Sequence, residues 1–299
     1  MLKSIGRNKN LSAYINLTLA MFISGSAVVV SKMMVTSLPT FLATELGITI
    51  GMMILIPYSF LIKKSEWRYD FRTHLVMFAQ AFCGVLLYRI CTFVGLKFTT
   101  AATSGLITSA GPVIVLLFAF LILKEKISLK QVIAIIFTVI GLVLINLTAY
   151  TKAGGHGSFK GNLLIMAAVI CEALFSILSK VKCKPVTALC RTTIIVIYAF
   201  LLLLPFSIHD AVGFDFKGLA LKSVLCVGYY GIFVTYLSYV FWFQGIEKVK
   251  ASNAAVFTSV VPLSSVLLSV ILLHESLLPL HIISMVFILV GIWISVNRN

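Results

Sequence analysis

Apolar runs separated by short junctions that carry charge, proline or glycine set the pattern of the whole chain. The runs are about 20 residues long, enough to cross a hydrocarbon core about 30 Å thick at 1.5 Å rise per residue. Cutting at the junctions predicts ten helical spans, near residues 12–31, 39–62, 73–95, 101–123, 130–149, 160–180, 186–206, 220–243, 252–273 and 279–296. The first lies behind Lys3, Arg7 and Lys9 and is apolar from Leu11 to Val30. That exceeds the roughly 7 to 15 residues of a secretory h-region, so it reads as a retained helix. The fold class is an all-α polytopic membrane protein.

Composition removes the soluble alternatives. Of 299 residues, 60% are hydrophobic and 11% charged, and the mean hydropathy is +1.09, against about 45–50% apolar and about 25% charged in a soluble domain. The formal charge of +15 does not indicate nucleic acid, because the basic residues lie between the spans and not along one soluble face. With the N-terminus in the cytoplasm, seventeen Lys and Arg fall inside, six outside, and Arg89 within a span. The positive-inside rule therefore predicts a cytoplasmic (inner) membrane protein with both termini cytoplasmic.

The six cysteines form no C-x-x-C pair and no set at ligand spacing with histidine, so neither a disulfide framework nor a metal site is expected. The junctions leave no room for a soluble domain, and no nucleotide-binding loop, HExxH site or G-x-S-x-G elbow occurs. The expectation is a protein that is not an enzyme, uses no cofactor, and is driven by an ion gradient or by the substrate gradient itself.

Self-comparison at an offset of 150 superposes Gly95 on Gly245, Ala101 on Ala251, Thr108-Ser109 on Thr258-Ser259, Pro112 on Pro262, Glu125 on Glu275 and Gly141 on Gly291. With small shifts, Ser31-Lys32 falls on Ser179-Lys180, Pro39 on Pro185 and Pro57 on Pro205. The reading is a duplicated five-helix unit, residues 1–150 and 151–299. Five being odd, the second copy enters the membrane in the opposite sense, the inverted-repeat plan of secondary transporters.

These motifs also resemble the EamA-type proteins of the drug/metabolite transporter superfamily. The resemblance rests on the serine-glycine-serine run and Ser31-Lys32 of the first span, the proline-led second and seventh spans, Pro112 and Pro262, Glu125 and Glu275, and Gly141 and Gly291. It covers nearly the whole chain. It implies a basket in which helices one to four and six to nine surround a central cavity, with helices five and ten peripheral. It also implies carriage of amino acids, nucleosides, other metabolites or toxic organic compounds, usually outward.

An ionisable group near mid-bilayer costs at least about 2.5 to 3.5 kcal/mol on insertion scales, so each needs a partner, a water cavity or a task. Glu172 lies mid-way along the sixth span and shares a helical face with Ser176 and Ser179. The resemblance places Glu172 on the cavity wall, where the family often has an aromatic residue. Its own chemistry leaves two readings open: a proton-titrating or cation-binding carboxylate, or a carboxyl kept neutral or paired with a buried hydroxyl.

Glu45, six residues past Pro39, corresponds to Arg191, six past Pro185; the family commonly has arginine at both. Arg89 of the third span falls at a depth similar to Glu45, and a buried Glu45–Arg89 ion pair is expected. Gln80 and Tyr88 are assigned to the cavity. Gln80 and Arg89 are half a turn apart at 100° per residue and cannot share one narrow face. Tyr230 and Tyr236 of an aromatic cluster in the eighth span can offer a ring and a hydroxyl to an amphipathic substrate. Pro112 and Pro262 each remove a backbone hydrogen bond in mid-span and mark candidate hinges. Gly47 and Gly51, and the small residues at four-residue spacing from Ala101 and from Ala251, allow close helix approach.

The functional expectation is a secondary transporter exporting small amphipathic metabolites such as amino acids or toxic organic compounds by alternating access. The alternative is an uncoupled facilitator of amino acids, nucleosides or similar metabolites. Partners are a small-molecule substrate, protons as candidate coupling ion, and the lipid bilayer, with no nucleic acid; a monomer and a homodimer are both open.

Overall fold

The computed structural model describes residues 2–34, 38–62, 69–152, 158–181, 183–216, 220–273 and 278–296. Its described regular elements are helices. Ten are long and apolar enough to cross a bilayer: α1 (Leu11–Ser31), α2 (Thr40–Phe60), α3 (Phe71–Leu96), α4 (Thr103–Leu121), α5 (Leu129–Leu147), α6 (Phe159–Leu178), α7 (Ala188–Ala211), α8 (Leu221–Ile246), α9 (Ala251–Leu272) and α10 (Pro279–Val296). All ten expected spans are present. A helix is the form in which an apolar segment satisfies every backbone donor and acceptor without water. Hydroxyl caps start several of them, with Thr100, Ser158 and Thr187 accepting from the backbone N–H groups of Thr103, Gly161 and Cys190.

Two pairs of helices are irregular at matching places. The α4 region breaks at Ser109-Ala110, between Ala101–Thr108 and Gly111–Leu121, and α9 breaks at Thr258-Ser259, between Ala251–Phe257 and Val260–Leu273. Pro112 and Pro262 stand just past these breaks, where their missing N–H groups leave a gap in the ladder. The Thr108 and Ser109 hydroxyls donate to the Gly105 carbonyl, and the Thr258 and Ser259 hydroxyls to those of Ala255 and Val256. In α3 the stretch Phe82–Leu87, and in α8 the stretch Tyr230–Leu237, are π-helical. One extra residue in a turn swings everything beyond it by about 100° relative to an uninterrupted α-helix.

Packing is close where small residues face a neighbour. Gly141 of α5 lies against Ser284 and Ile288 of α10, while Gly291 of α10 lies against Ala134 and Thr138 of α5. The two contacts are reciprocal at an offset of 150, and they set this pair of helices together on the outside of the bundle. Their far sides are apolar and exposed, as at Val286, Leu289 and Trp293. Gly47 and Gly51 bring α2 onto the π-helical stretch of α8, at Tyr230, Gly231 and Thr235, so that small-residue pair serves packing within the chain. Between them α1, α2, α3, α7, α8 and α9 enclose the largest core, with Leu17, Leu55, Met77, Ile195, Leu203 and Phe257 at its centre.

Polar contacts tie the helix ends together at both faces. At one face, Glu125 accepts from the Ala251 and Ser252 backbone N–H groups at 2.9 and 3.2 Å and from the Ser252 hydroxyl at 2.8 Å, and Lys180 donates to the Glu247 carbonyl. At the other, the Ser158 N–H donates to the Phe98 carbonyl, Thr99 donates to Asn162, and Asp210 accepts from the Phe41 N–H. Glu275, the repeat partner of Glu125, lies outside the described residues.

Candidate functional site

The α6 helix shows its lipid side through Leu163 and Ile170, 59% and 38% exposed. Glu172 is two residues past Ile170, 200° round the helix, and therefore faces the inside of the bundle. It is nevertheless exposed. An exposed side chain on an inward face means open space within the bundle, and the polar groups of that space come from four helices.

Tyr88 of α3 and Tyr239 of α8 are both within electrostatic reach of Glu172 and of Arg89. Arg89 donates through Nη1 to Thr44 Oγ1 at 3.0 Å and through Nη2 to the Tyr230 hydroxyl at 2.9 Å. Thr44 belongs to α2. Tyr88 and Tyr239 thus lie near both charges, and Tyr230 joins them through its bond to Arg89. The arrangement can hold charged and hydrogen-bonding groups of a small molecule against aromatic side chains.

Several expectations are redistributed. The Glu45–Arg89 ion pair is not formed. The guanidinium turns to Thr44 and Tyr230, and both carboxylate oxygens of Glu45, a residue 5% exposed, lack a hydrogen-bond partner. Thr44 and Glu45 are neighbours 100° apart on α2, so a guanidinium drawn toward α8 lies on the threonine side.

Gln80 does not line the open space. It is fully buried, donates to Ser179 Oγ at 2.9 Å and to the Phe175 carbonyl, and accepts from Arg191 Nε and Nη2 at 3.1 and 2.8 Å. Arg191 also donates to the Ser179 and Leu178 carbonyls, both at 2.9 Å, and its guanidinium stacks on Phe243 at 5.0 Å. Tyr88, assigned to the cavity from the sequence, lies within electrostatic reach of Glu172. The half-turn separation of Gln80 from Arg89 assumed 100° throughout, whereas the π-helical stretch between them changes the rotation.

Ser176, one turn beyond Glu172, is buried at 4% exposure. Tyr230 joins the cluster through Arg89. Tyr236 does not: its ring faces Tyr58, centroids 6.4 Å apart. The sequence reading missed Thr44 and passed over Tyr239, although Tyr239 is the residue 150 beyond Arg89, a signal that was available.

The EamA-like transporter family profile matches residues 11–147 and again 159–297. The chain belongs to this family. Among relatives of this EamA-like transporter, an uncharacterised transporter of Bacillus subtilis (strain 168), YetK, is 37% identical over 293 residues, covering 97% of this chain and 88% of its own length. A second, YyaM of the same organism, also an uncharacterised transporter, is 26% identical over 219 residues, 73% of this chain and 71% of its own. A crystal structure superposes with a TM-score of 0.79 at 20% identity, covering 96% of both chains, and shows the fold. The protein is a multi-pass membrane transporter.

Proposed function

We propose that this EamA-like transporter is a secondary carrier that exports small amphipathic metabolites, amino acids or toxic organic compounds, by alternating access, with Glu172 as the binding or coupling group. In this reading residues 1–150 and 151–299 are inverted copies, and the termini lie in the cytoplasm of an inner membrane. The reciprocal seating of Gly141 and Gly291 supports a two-fold relation between the halves, which lets one central site open to either side in turn. The paired helix breaks beside Pro112 and Pro262 supply the bending elements.

One observation carries the reading: Glu172 is exposed on the inward face of a membrane-spanning helix, beside Tyr88 and Tyr239. A carboxylate at that depth is expensive unless water or a ligand reaches it. The test is counterflow in proteoliposomes over amino acids, nucleosides and cationic drugs, with and without a pH gradient, for the wild type and Glu172→Gln. Accelerated exchange that a pH gradient drives, and that Glu172→Gln uncouples, is the expected result. Flux lost in Glu172→Gln but indifferent to the gradient makes the protein a uniporter with Glu172 as binding group. Flux indifferent to both removes Glu172 from the mechanism.

A further inference from the structure

Small residues seat α1 closely on two neighbours. Gly25 of α1 lies against Ser264 and Val261 of α9, and Gly245 of α8 lies against Leu17 and Ala13 of α1. Near the start of α8 the same three helices leave a groove of about 340 Å³, bordered by Phe22 and Val30 of α1, Lys222 and Cys226 of α8, and Leu268 and Leu272 of α9. It is open to the outside of the bundle: Leu225, Leu272 and Phe22 along it are 64%, 52% and 43% exposed. The hydroxyls within it, Ser26 and Tyr229, share a hydrogen bond of 2.8 Å, so apolar contact is what an occupant meets along most of its length.

The exception is Lys222, in the first turn of α8. That helix starts after Ala220 without a side-chain cap, and among the described residues no carboxylate is bonded to Lys222. A lysine there adds positive charge where the helix dipole is already positive. One end of the groove is thus an uncompensated cation and the remainder is apolar. We infer that the groove seats one phospholipid, with its phosphate on the Lys222 ammonium and an acyl chain along Cys226, Tyr229 and Leu268, in the leaflet where α8 begins.

Length, width and charge each select this occupant. From Lys222 to Tyr229 the groove follows α8 for about 10 Å at 1.5 Å rise per residue, about two thirds of a leaflet whose hydrocarbon is about 15 Å deep. The ammonium therefore reaches the headgroup layer while the groove stays in hydrocarbon. A helix of a second copy or of another protein, at least about 10 Å across, needs about 800 Å³ over that length, more than twice the space present. An anionic phosphate gains a counter-ion at Lys222, whereas an amphipathic cation meets a like charge there. Lipid seating depends only on these helices standing in a membrane and not on the carrier reading.

The test is native mass spectrometry of the delipidated full chain, with phosphatidylglycerol or diacylglycerol of the same acyl chains added back. The wild type should retain phosphatidylglycerol in preference to diacylglycerol. Lys222→Gln should weaken phosphatidylglycerol about fivefold, as for one lysine near a membrane surface, and leave diacylglycerol unchanged. Cys226→Trp, which fills the groove, should weaken both by about tenfold or more. Lys97→Gln, at an exposed lysine outside the groove, should change neither. The lipid-free unfolding temperature of each variant reports folding, and should Cys226→Trp fail to fold, Leu272→Trp, at an exposed position on α9, takes its place.

Unchanged phosphatidylglycerol retention in Lys222→Gln or in the groove-filling variant overturns the inference, as do equal losses in Lys97→Gln and Lys222→Gln. A wild type that holds diacylglycerol as tightly as phosphatidylglycerol sinks the phosphate contact. A wild-type dimer that Cys226→Trp dissociates replaces the lipid with a second copy of the chain.

Discussion

Arg191 and Arg89 each reach from one half of the chain to the other, and their acceptors, Gln80 and Tyr230, are 150 residues apart, the spacing of the internal repeat. There the likeness ends. Arg191 makes four hydrogen bonds from its five donors, two to Gln80 Oε1 and two to the closing carbonyls of α6, and its guanidinium stacks on Phe243. It locks α3, α6 and α7 together at one end of the bundle. Among the described residues Arg89 is held by two side-chain hydroxyls and no backbone carbonyl, fewer bonds than its five donors can make. Acceptors at equivalent positions thus hold two arginines that are not each other's repeat counterparts. In the first half, where Glu45 occupies the place answering Arg191, the guanidinium is supplied from α3.

This contrast can be broken most directly at the two acceptors. Gln80→Leu strips a buried guanidinium of two charge-assisted bonds and should lower stability by about 3 kcal/mol, read as the unfolding transition of the purified protein. Tyr230→Phe removes one bond from a less constrained arginine and should cost about 1 kcal/mol, with its main effect on ligand affinity. Equal losses for the two variants would mean that both arginines are fastenings.

The symmetric side of the comparison is sharpened at the α5–α10 contact. Gly141→Leu and Gly291→Leu each force a side chain into the opposing helix and should destabilise by about 2 kcal/mol, to the same extent within error because the contacts are reciprocal. A twofold or greater disparity in the unfolding midpoint shifts would show that the pairing is not equivalent from its two sides.

The smallest effect concerns Glu45. A double-mutant cycle of Glu45→Gln and Arg89→Gln should give a coupling energy within about 0.5 kcal/mol of zero, as for groups without a direct interaction. A coupling of about 1.5 kcal/mol or more would restore the ion pair that the geometry denies.

Much of the architecture was legible in the residue order. Span lengths, the breaks at Pro112 and Pro262, and the small faces of Gly47, Gly51, Gly141 and Gly291 are local signals. The inward aim of Glu172 was expected from the helical face it shares with Ser176 and Ser179. The partners of Gln80 and Arg89 were not legible, because spacing within one helix does not say which neighbouring helix each side chain meets, and a π-helical stretch lies between the two. Nothing in the run Phe82–Leu87 announces that stretch. Nor could spacing show that Tyr236 would turn to Tyr58 while Tyr239 turned to the cluster.

Sequence by itself therefore determined that ten helices are long and apolar enough to cross a membrane, that the family pattern occurs twice, and which charged residues fall within those spans. These follow from length, hydrophobicity and repetition, which are properties of segments. Which charge meets which partner was decided by the tertiary structure alone, since it depends on the rotation of each helix about its axis. That rotation is fixed by close contacts with neighbours and by π-helical turns in α3 and α8, neither of which is encoded within a single segment.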